Sequence, residues 1–118
     1  MQIGIKKLHL RTYIGFHDGE QDKKQDVFIH LKINVPFHSS MSEDDISNIY
    51  NYKTITKQII NFVENRRFLL LEKLTDDVAN LILEDHRVSF VEVEIEKPCA
   101  LRFTESVSIL VQKHSSHE

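Results

Sequence analysis

A two-residue alternation of apolar and polar side chains is the feature that most restricts how this chain can fold. In one segment every odd position is apolar: Val27, Ile29, Leu31, Ile33 and Val35. This period is typical of a strand with one buried face. The same period returns in residues 91–95 and 107–111, and near the N-terminus it changes phase between Ile5 and Leu8. The pattern therefore predicts four strands, the first with a bulge between these two residues.

Between the second and third of these strands the apolar spacing becomes helical. Residues 55–63 and 74–82 each place apolar side chains three or four positions apart, with a break at residues 65–67. Two amphipathic helices are therefore expected. Because an amphipathic helix and a half-buried sheet each need a partner surface, both helices should cover one sheet face. The sequence predicts an α+β fold of order ββααββ, with a four-stranded antiparallel sheet.

The sheet face away from the helices should be polar, and both sheet edges should be open. The polar side chains that alternate with the buried ones include His30, Lys32, Glu92, Glu94 and Glu96. Open edges carry unpaired backbone N–H and C=O groups, which proteins usually pair or protect. Self-association from edge to edge is therefore expected.

Composition excludes several classes of protein. With 118 residues, 41% hydrophobic and 28% charged, the chain is expected to form one soluble globular domain over residues 1–118. A net charge of −3 lacks the basic surplus of a nucleic-acid-binding protein. No apolar run approaches the roughly 20 residues of a membrane span. The single cysteine, Cys99, excludes an intrachain disulfide and fits a reducing cytoplasm.

Sequence motifs for metals and nucleotide cofactors are missing. The seven histidines include no H-x-H or H-E-x-x-H pair, and there is no G-x-G-x-x-G or G-K-[ST] loop. The acidic row Glu92, Glu94 and Glu96 could bind a cation, although alternating charge on a strand is usually a solvated face. Neither a metal nor a cofactor is expected.

Two charged residues occupy positions that suit proton transfer or ligand binding. Lys97 ends the third strand just before Pro98 and has the parity of the apolar positions. An ammonium group there is poorly solvated, which suits a lysine that gives and takes protons near neutral pH. A strand-end lysine whose head reaches water is the alternative. Glu72 lies at the front of the second helix, where a carboxylate could accept two N–H bonds from a ring edge or could merely stabilise the helix start.

Tyr52 and Glu20 are further candidates. Tyr52 opens the first helix, where a phenol could stack on a ring or relay a proton, or could pack as an ordinary apolar residue. Glu20 lies in the first connection, and loops on a rigid sheet often carry functional groups, although a loop glutamate is usually solvated. The residues alone leave both alternatives open.

Four stretches of the chain together resemble one known family. They are L-R-T-Y-I-G at 10–15, N-Y-K-T-I-T-K at 51–57, F-L-L-L-E-K-L at 68–74 and E-K-P-C-A-L-R at 96–102. In this order they resemble the dihydroneopterin aldolase family, nearly from end to end. The second stretch, the block at 63–75 and the A-L-R-F-T-E-S-V-S ending are most similar to its dihydroneopterin triphosphate epimerase branch. The connection at 16–21 is closer to the aldolase branch.

The resemblance implies the tunnelling fold, in which four ββααββ units close their sheets into a barrel and two such rings stack as an octamer. Pterin pockets then lie at subunit boundaries and use residues from two chains. The resemblance implies that Glu72, with Leu71, anchors the amino-pyrimidinone edge. It implies that Lys97 transfers protons beside a ring nitrogen. It also implies that Tyr52 is a pocket tyrosine that binds substrate, that Glu20 lies near the polyol side chain, and that both are catalytic. No metal is implied.

The implied activity is epimerisation of 7,8-dihydroneopterin triphosphate at C2′ by retro-aldol and aldol steps, with aldolase side activity. The alternative is the aldolase of folate biosynthesis, which gives 6-hydroxymethyl-7,8-dihydropterin and glycolaldehyde. A pterin-binding oligomer without turnover is a third reading. A triphosphate needs cations, and the candidates are Lys53, Arg67, Lys73 and Arg102. Ordinary surface charge explains these four equally well.

Overall fold

The computed structural model describes residues 1–116, as a sheet with helices packed on one face. The elements in chain order are β1 (Gln2–Ile14), β2 (Gln25–Asn34), α1 (Ser39–Ser42), α2 (Tyr52–Glu64), β3 (Arg67–Phe68), α3 (Leu71–Leu83), β4 (Phe90–Pro98) and β5 (Ser106–His114). The long elements follow the predicted order ββααββ. The short helix α1 escapes prediction because four residues are too few to show a helical period.

The sheet has the strand order β3-β1-β2-β4-β5. β1, β2, β4 and β5 pair antiparallel, as predicted. β3 adds a fifth strand of two residues, which pairs parallel with Tyr13 and Ile14 at the end of β1. The sheet therefore has five strands where four were expected. The fifth was missed because a strand of two residues shows no alternation. Its pairing fixes the connection into α3 beside the end of β1.

The predicted bulge in β1 is confirmed. The register against β2 shifts between Ile5 and Leu8, and Lys7 has φ = 56°. The Lys7 N–H donates to Nδ1 of His30 on β2 at 3.2 Å. This side-chain bond satisfies a backbone donor that the bulge removes from the strand ladder.

The alternation of β2 places the core between the sheet and the helices. The five odd-numbered side chains from Val27 to Val35 are at most 3% exposed. They form one continuous apolar cluster with the buried faces of the two long helices. Full burial of an aliphatic side chain of this size stabilises the fold by about 1.5–3 kcal/mol. The buried helix residues are Ile55, Ile59, Val63, Leu71, Leu74, Val78, Ala79 and Ile82.

The opposite sheet face carries the predicted polar side chains, and in the structure they pair across the strands. Glu96 on β4 contacts His30 Nε2 at 2.7 Å and accepts a bond from Ser106 at 2.9 Å. These bonds, the one to His30 first, hold the pKa of Glu96 below its usual range. Glu94 accepts a bond from Ser108 at 3.0 Å. The acidic row is therefore a ladder of partnered groups, which we call the polar ladder.

Both long edges of the sheet are open over residues 1–116. No strand pairs with the outer side of β5, and the outer side of β1 is paired only at Tyr13 and Ile14. The chain is also elongated, with extents of 53 × 24 × 22 Å and a radius of gyration of 15.8 Å. A compact domain of this length would have a radius of about 13.5 Å. A long sheet with open edges is typical of a subunit that associates through its sheet.

Candidate active site

A cleft of about 280 Å³ lies where the start of α3 meets the ends of β1 and β4. Apolar side chains, among them Phe16, Leu70 and Leu101, form part of its wall. The cleft also brings together four of the predicted site residues, which are distant in the chain: Glu20, Leu71, Glu72 and Lys97. An apolar surface with a few convergent charged groups is typical of a small-molecule site.

Lys97 and Glu20 form an ion pair inside this cleft. Lys97 Nζ donates to Glu20 Oε2, and the two side chains are 12% and 20% exposed. Lys97 pairs with Val107 across β4 and β5, in the register of the buried positions, as the strand parity predicts. The hydrogen bond from Lys97 lowers the pKa of Glu20, and burial opposes this shift. The sequence did not indicate that these two candidates are partners.

Three further groups surround the Glu20 carboxylate. The His17 N–H donates to Oε1 at 3.2 Å, and Gln25 Nε2 donates to Oε2 at 3.3 Å. Gly15 has φ = 124°, and a Cβ at this residue would collide with the carboxylate. The positive φ favours glycine here, and a Cβ would displace the Glu20 carboxylate from its present position. Sequence reasoning missed Gly15 and Gln25, and a glycine directly after a strand was the available signal.

The start of α3 forms the other side of the cleft. No side chain caps this helix at Leu70, so its first N–H groups have no cap partner. Glu72 lies in the first turn, is exposed, and forms no ion pair within the described residues. A free carboxylate beside free N–H groups offers acceptors and donors side by side. This pattern is complementary to the amino and carbonyl groups along one edge of a pyrimidinone ring.

The structure places Tyr52 outside the cleft of its own chain. Tyr52 begins α2 and is 54% exposed. Other exposed apolar side chains occur in the segment before it, namely Phe37, Ile46 and Ile49. A group of exposed apolar residues is typical of a contact surface.

Of the four cations predicted to bind phosphate, Arg67 lies beside the cleft. It lines an adjoining hollow that shares Gly15 and Leu69 with the cleft. Its guanidinium lies 3.8 Å from the centre of the Tyr13 ring and donates to the Gln21 carbonyl at 2.7 Å. Arg67 is thereby held on the loop that also carries Glu20.

The other three predicted cations do not line the cleft. Lys73 forms an ion pair with Asp77 at 2.8 Å. The Arg102 guanidinium lies 5.1 Å from the centre of the exposed Phe103 ring. Lys53 is exposed near the start of α2.

A larger cleft of about 320 Å³ between α2 and α3 is less suited to acid–base chemistry. Two of its three charged residues, Asp85 and Arg87, bind each other at 2.7 Å, and the third is Glu84. Burial raises the pKa of Tyr50 in its wall to about 12, so this phenol stays protonated near neutral pH. The cleft with the Lys97–Glu20 pair and the free Glu72 is therefore the better candidate.

Neither a metal-binding cluster nor a membrane-spanning helix occurs in the described part of the chain. Among residues 1–116, no three His, Cys, Asp or Glu side chains are grouped so as to hold a metal ion. Over the same range, no helix is long and apolar enough to cross a membrane. Cys99 is a free, exposed thiol in the turn between β4 and β5.

The fold and the cleft define a class of protein: an α+β chain with helices on one face of its sheet and an apolar cleft that carries an ion pair and a free carboxylate. The family model described as FolB, dihydroneopterin aldolase, matches residues 3–112. The chain belongs to the dihydroneopterin aldolase family, which is a family of enzymes. This match confirms the resemblance found in the sequence.

Two relatives and one solved structure illustrate the similarity. A dihydroneopterin triphosphate 2′-epimerase of Pseudomonas aeruginosa is 47% identical over 113 residues, which are 96% of this chain and 92% of that protein. The protein of the same name from Escherichia coli K12 is 48% identical over 107 residues, or 91% of this chain and 89% of that one. The structure of Escherichia coli dihydroneopterin aldolase in complex with neopterin has a TM-score of 0.89 and 25% identity, and covers 96% of this chain and 98% of that one.

Proposed function

We propose that this protein is a 7,8-dihydroneopterin triphosphate 2′-epimerase with aldolase side activity. The observation that carries the proposal is the cleft that joins the Lys97–Glu20 pair to the free carboxylate of Glu72. The 47% and 48% identity to two epimerases, over 96% and 91% of the chain, supports this branch of the family.

In this proposal the start of α3 holds the pterin ring. The 2-amino group and N3–H of the ring donate to the Glu72 carboxylate, and the C4 carbonyl accepts from free N–H groups of the first turn. Leu71 and the apolar wall contact the ring. The neopterin complex of the similar Escherichia coli aldolase supports a pterin ligand.

The Lys97–Glu20 pair moves the protons of the retro-aldol step. Glu20 accepts the proton of the C2′ hydroxyl, and the C1′–C2′ bond breaks to leave an aldehyde at C2′. The electrons of this bond enter the C6–N5 imine of the dihydropterin, and Lys97 protonates N5. The pair is neutral as a whole before and after the step, so no isolated charge is left in the half-buried cleft. The substrate is its own electron sink, and no Schiff base or metal is needed.

The fate of the aldehyde decides between two products. If the fragment stays bound, turns over and adds back to C1′, the configuration at C2′ is inverted. If it leaves, C1′ is protonated and 6-hydroxymethyl-7,8-dihydropterin is released. The same cleft therefore supports the alternative function, the aldolase of folate biosynthesis, which the likeness to the Escherichia coli aldolase favours.

Retention of the fragment requires a residue that binds its triphosphate, and Arg67 is our first candidate for this role. Its hollow adjoins the cleft at Gly15, and it forms no ion pair with an acid of residues 1–116. Arginine binds phosphate through parallel charge-assisted hydrogen bonds. Lys73 is a weaker candidate because Asp77 already neutralises it. Lys53 and Arg102 stay candidates for the outer phosphates.

We further propose that a second copy of the chain completes the cleft with its own Tyr52, as stacking or proton-relaying group. The exposure of Tyr52 and its apolar neighbours supports a contact there. The open sheet edges support closure of four chains into a barrel, with the polar ladder facing the tunnel and two rings stacked as an octamer. Each chain is proposed to be a single domain, and its free cysteine fits the cytoplasm.

A product assay tests the function. The enzyme is incubated separately with 7,8-dihydroneopterin and with its triphosphate, after dialysis against EDTA, and the products are separated by chromatography. We expect the C2′ epimer as main product from the triphosphate and some 6-hydroxymethyl-dihydropterin from both. Mainly hydroxymethyl product would establish the aldolase instead. Calorimetric binding of neopterin without any turnover would leave only a pterin-binding oligomer, and activity that returns only with added zinc would contradict the metal-free mechanism.

A further inference from the structure

We propose that Gln25 is a positioning residue whose side-chain amide holds the Glu20 carboxylate against Lys97. The inference deepens the proposed function and rests on it, because Glu20 and Lys97 are taken as the proton-transferring pair. Gln25 itself does not line the cleft and acts through Glu20.

The geometry of Gln25 determines which end of its amide is used. Gln25 begins β2, and its Nε2 donates to the Ile14 carbonyl at 2.7 Å and to Glu20 Oε2 at 3.3 Å. Both partners are acceptors, so the amide nitrogen, and not the amide oxygen, must face them. The side chain thereby ties the end of β1 to the loop that carries Glu20.

Glu20 needs such a tie because its own segment is irregular. Residues 15–24 form neither helix nor strand, and Gly15 and Gly19 have positive φ. The bond from the His17 N–H comes from within this same loop. Gln25 and Lys97, by contrast, reach the carboxylate from strands of the sheet, and both bind Oε2. Gln25 therefore fixes which oxygen Lys97 meets and leaves Oε1 turned toward the loop.

The same bond affects protonation. Lys97 is the main cause of the lowered pKa of Glu20, and the hydrogen bond from Gln25 acts in the same direction. Loss of the amide donor should therefore raise the pKa of Glu20. In the enzyme this moves the acid limb of the kcat/KM profile to higher pH.

The test uses Gln25→Glu, which keeps the size of the side chain but turns its donor into an acceptor. We expect kcat to fall about ten- to a hundredfold, the magnitude of a lost hydrogen bond to a charged group. KM should change little, because the pterin head is held at the start of α3, and the acid limb should move to higher pH. Gln58→Glu adds the same charge at an exposed residue of α2 that does not line the candidate active site, and should leave kcat and the pH profile unchanged.

A second variant, Gln25→Met, removes the donor without adding charge. It provides the test if Gln25→Glu does not fold. The pKa of the Glu20 carboxyl is followed in it by NMR titration, and should lie above the wild-type value whether or not the protein turns over pterins. An unchanged Glu20 pKa, or unchanged kcat and pH profile in an active enzyme, overturns the role of Gln25. If the wild-type protein is inactive on both pterins, the proposed function is refuted. In that case the NMR titration alone decides whether Gln25 positions the Glu20 carboxylate.

Discussion

Lys97 has two roles in the proposed cycle, and neither of them is substrate binding. A single substitution can therefore distinguish an effect on turnover from an effect on binding. Lys97 donates the proton to the pterin ring in the proposed cycle, and it pairs with Glu20. General acid–base groups contribute about 10²–10⁴ in rate. We expect Lys97→Ala to lower kcat by about this factor with little change in KM, as measured by steady-state kinetics. Lys57→Ala, an exposed lysine of α2, should retain wild-type rates; a fully active Lys97→Ala would remove Lys97 from the mechanism.

The Glu20 carboxylate links stability to pH. Its pKa in the folded protein is lowered from 4.5, first by the bond from Lys97. A lowered pKa contributes stability above the unfolded-state value, and this contribution is lost as pH falls through the folded-state value. Lys97→Ala removes the main cause, so this variant should lose less stability than wild type when pH falls from about 6 to about 3. Urea denaturation at a series of pH values measures the free energy of unfolding of both proteins. The same pH dependence in wild type and Lys97→Ala would contradict the predicted effect of the Lys97–Glu20 pair.

Glu72 is the residue on which ring binding should depend. Loss of a hydrogen-bonded charge in such a site costs about 1.5–3 kcal/mol, or roughly ten- to a hundredfold in affinity. We expect Glu72→Gln to weaken neopterin binding by this amount in calorimetry. Glu64→Gln, an exposed glutamate at the end of α2, serves as the control. Equal affinities for the two variants would reject the anchor.

Single residues were predictable where their role depends on local position. Strand parity placed Lys97, and the position at a helix start placed Glu72. The contacts of Gly15 and Gln25 could not be read in this way, because they arise only when the first connection folds back over the end of β1. Whether Tyr52 meets the cleft depends on a second chain, so it stays a prediction.

Among the secondary-structure elements, β1 and α2 are joined by one buried hydrogen bond. The fully buried Thr12 hydroxyl donates to the Val63 carbonyl at 2.7 Å, near the end of α2. Thr12→Val should leave this carbonyl short of a donor and destabilise the fold by about 1–3 kcal/mol in urea denaturation. Thr56→Val, where the hydroxyl bonds within the exposed side of the helix, should stay within about 0.5 kcal/mol of wild type. Similar losses of unfolding free energy in the two variants would show that the hydrogen bond from Thr12 to Val63 contributes nothing.

Elements with a clear period were predictable, and short ones were not. The change of phase between Ile5 and Leu8 was sufficient to indicate the bulge, since a bulge reverses which positions face the core. β3 exists because Arg67 and Phe68 meet the end of β1, a tertiary contact without any local signal. The same holds for α1, whose four residues contribute no buried side chain.

For the whole molecule, the expected assembly is an octamer. Its mass should be about 111 kDa, eight times the chain mass of 13.9 kDa. Light scattering at micromolar concentration measures this directly. A monomer under these conditions would contradict the barrel, and a species of half the octamer mass would indicate one ring.

Mixed oligomers test whether two chains share each cleft. Lys97→Ala and Tyr52→Ala should each abolish most activity when purified alone. If the lysine and the tyrosine of one cleft come from different chains, random co-assembly restores about a quarter of the sites with both groups intact. Mixtures that stay inactive after dissociation and reassembly would place both groups in one chain.

The missing Cβ at Gly15 gives a practical criterion for other chains of this shape. A larger side chain at the corresponding place takes the room of the acid and strains the backbone at its positive φ, so the amine loses its partner. Such chains are where catalytically silent members of the fold should be sought. One hydrogen atom in place of a methyl group is enough to distinguish them.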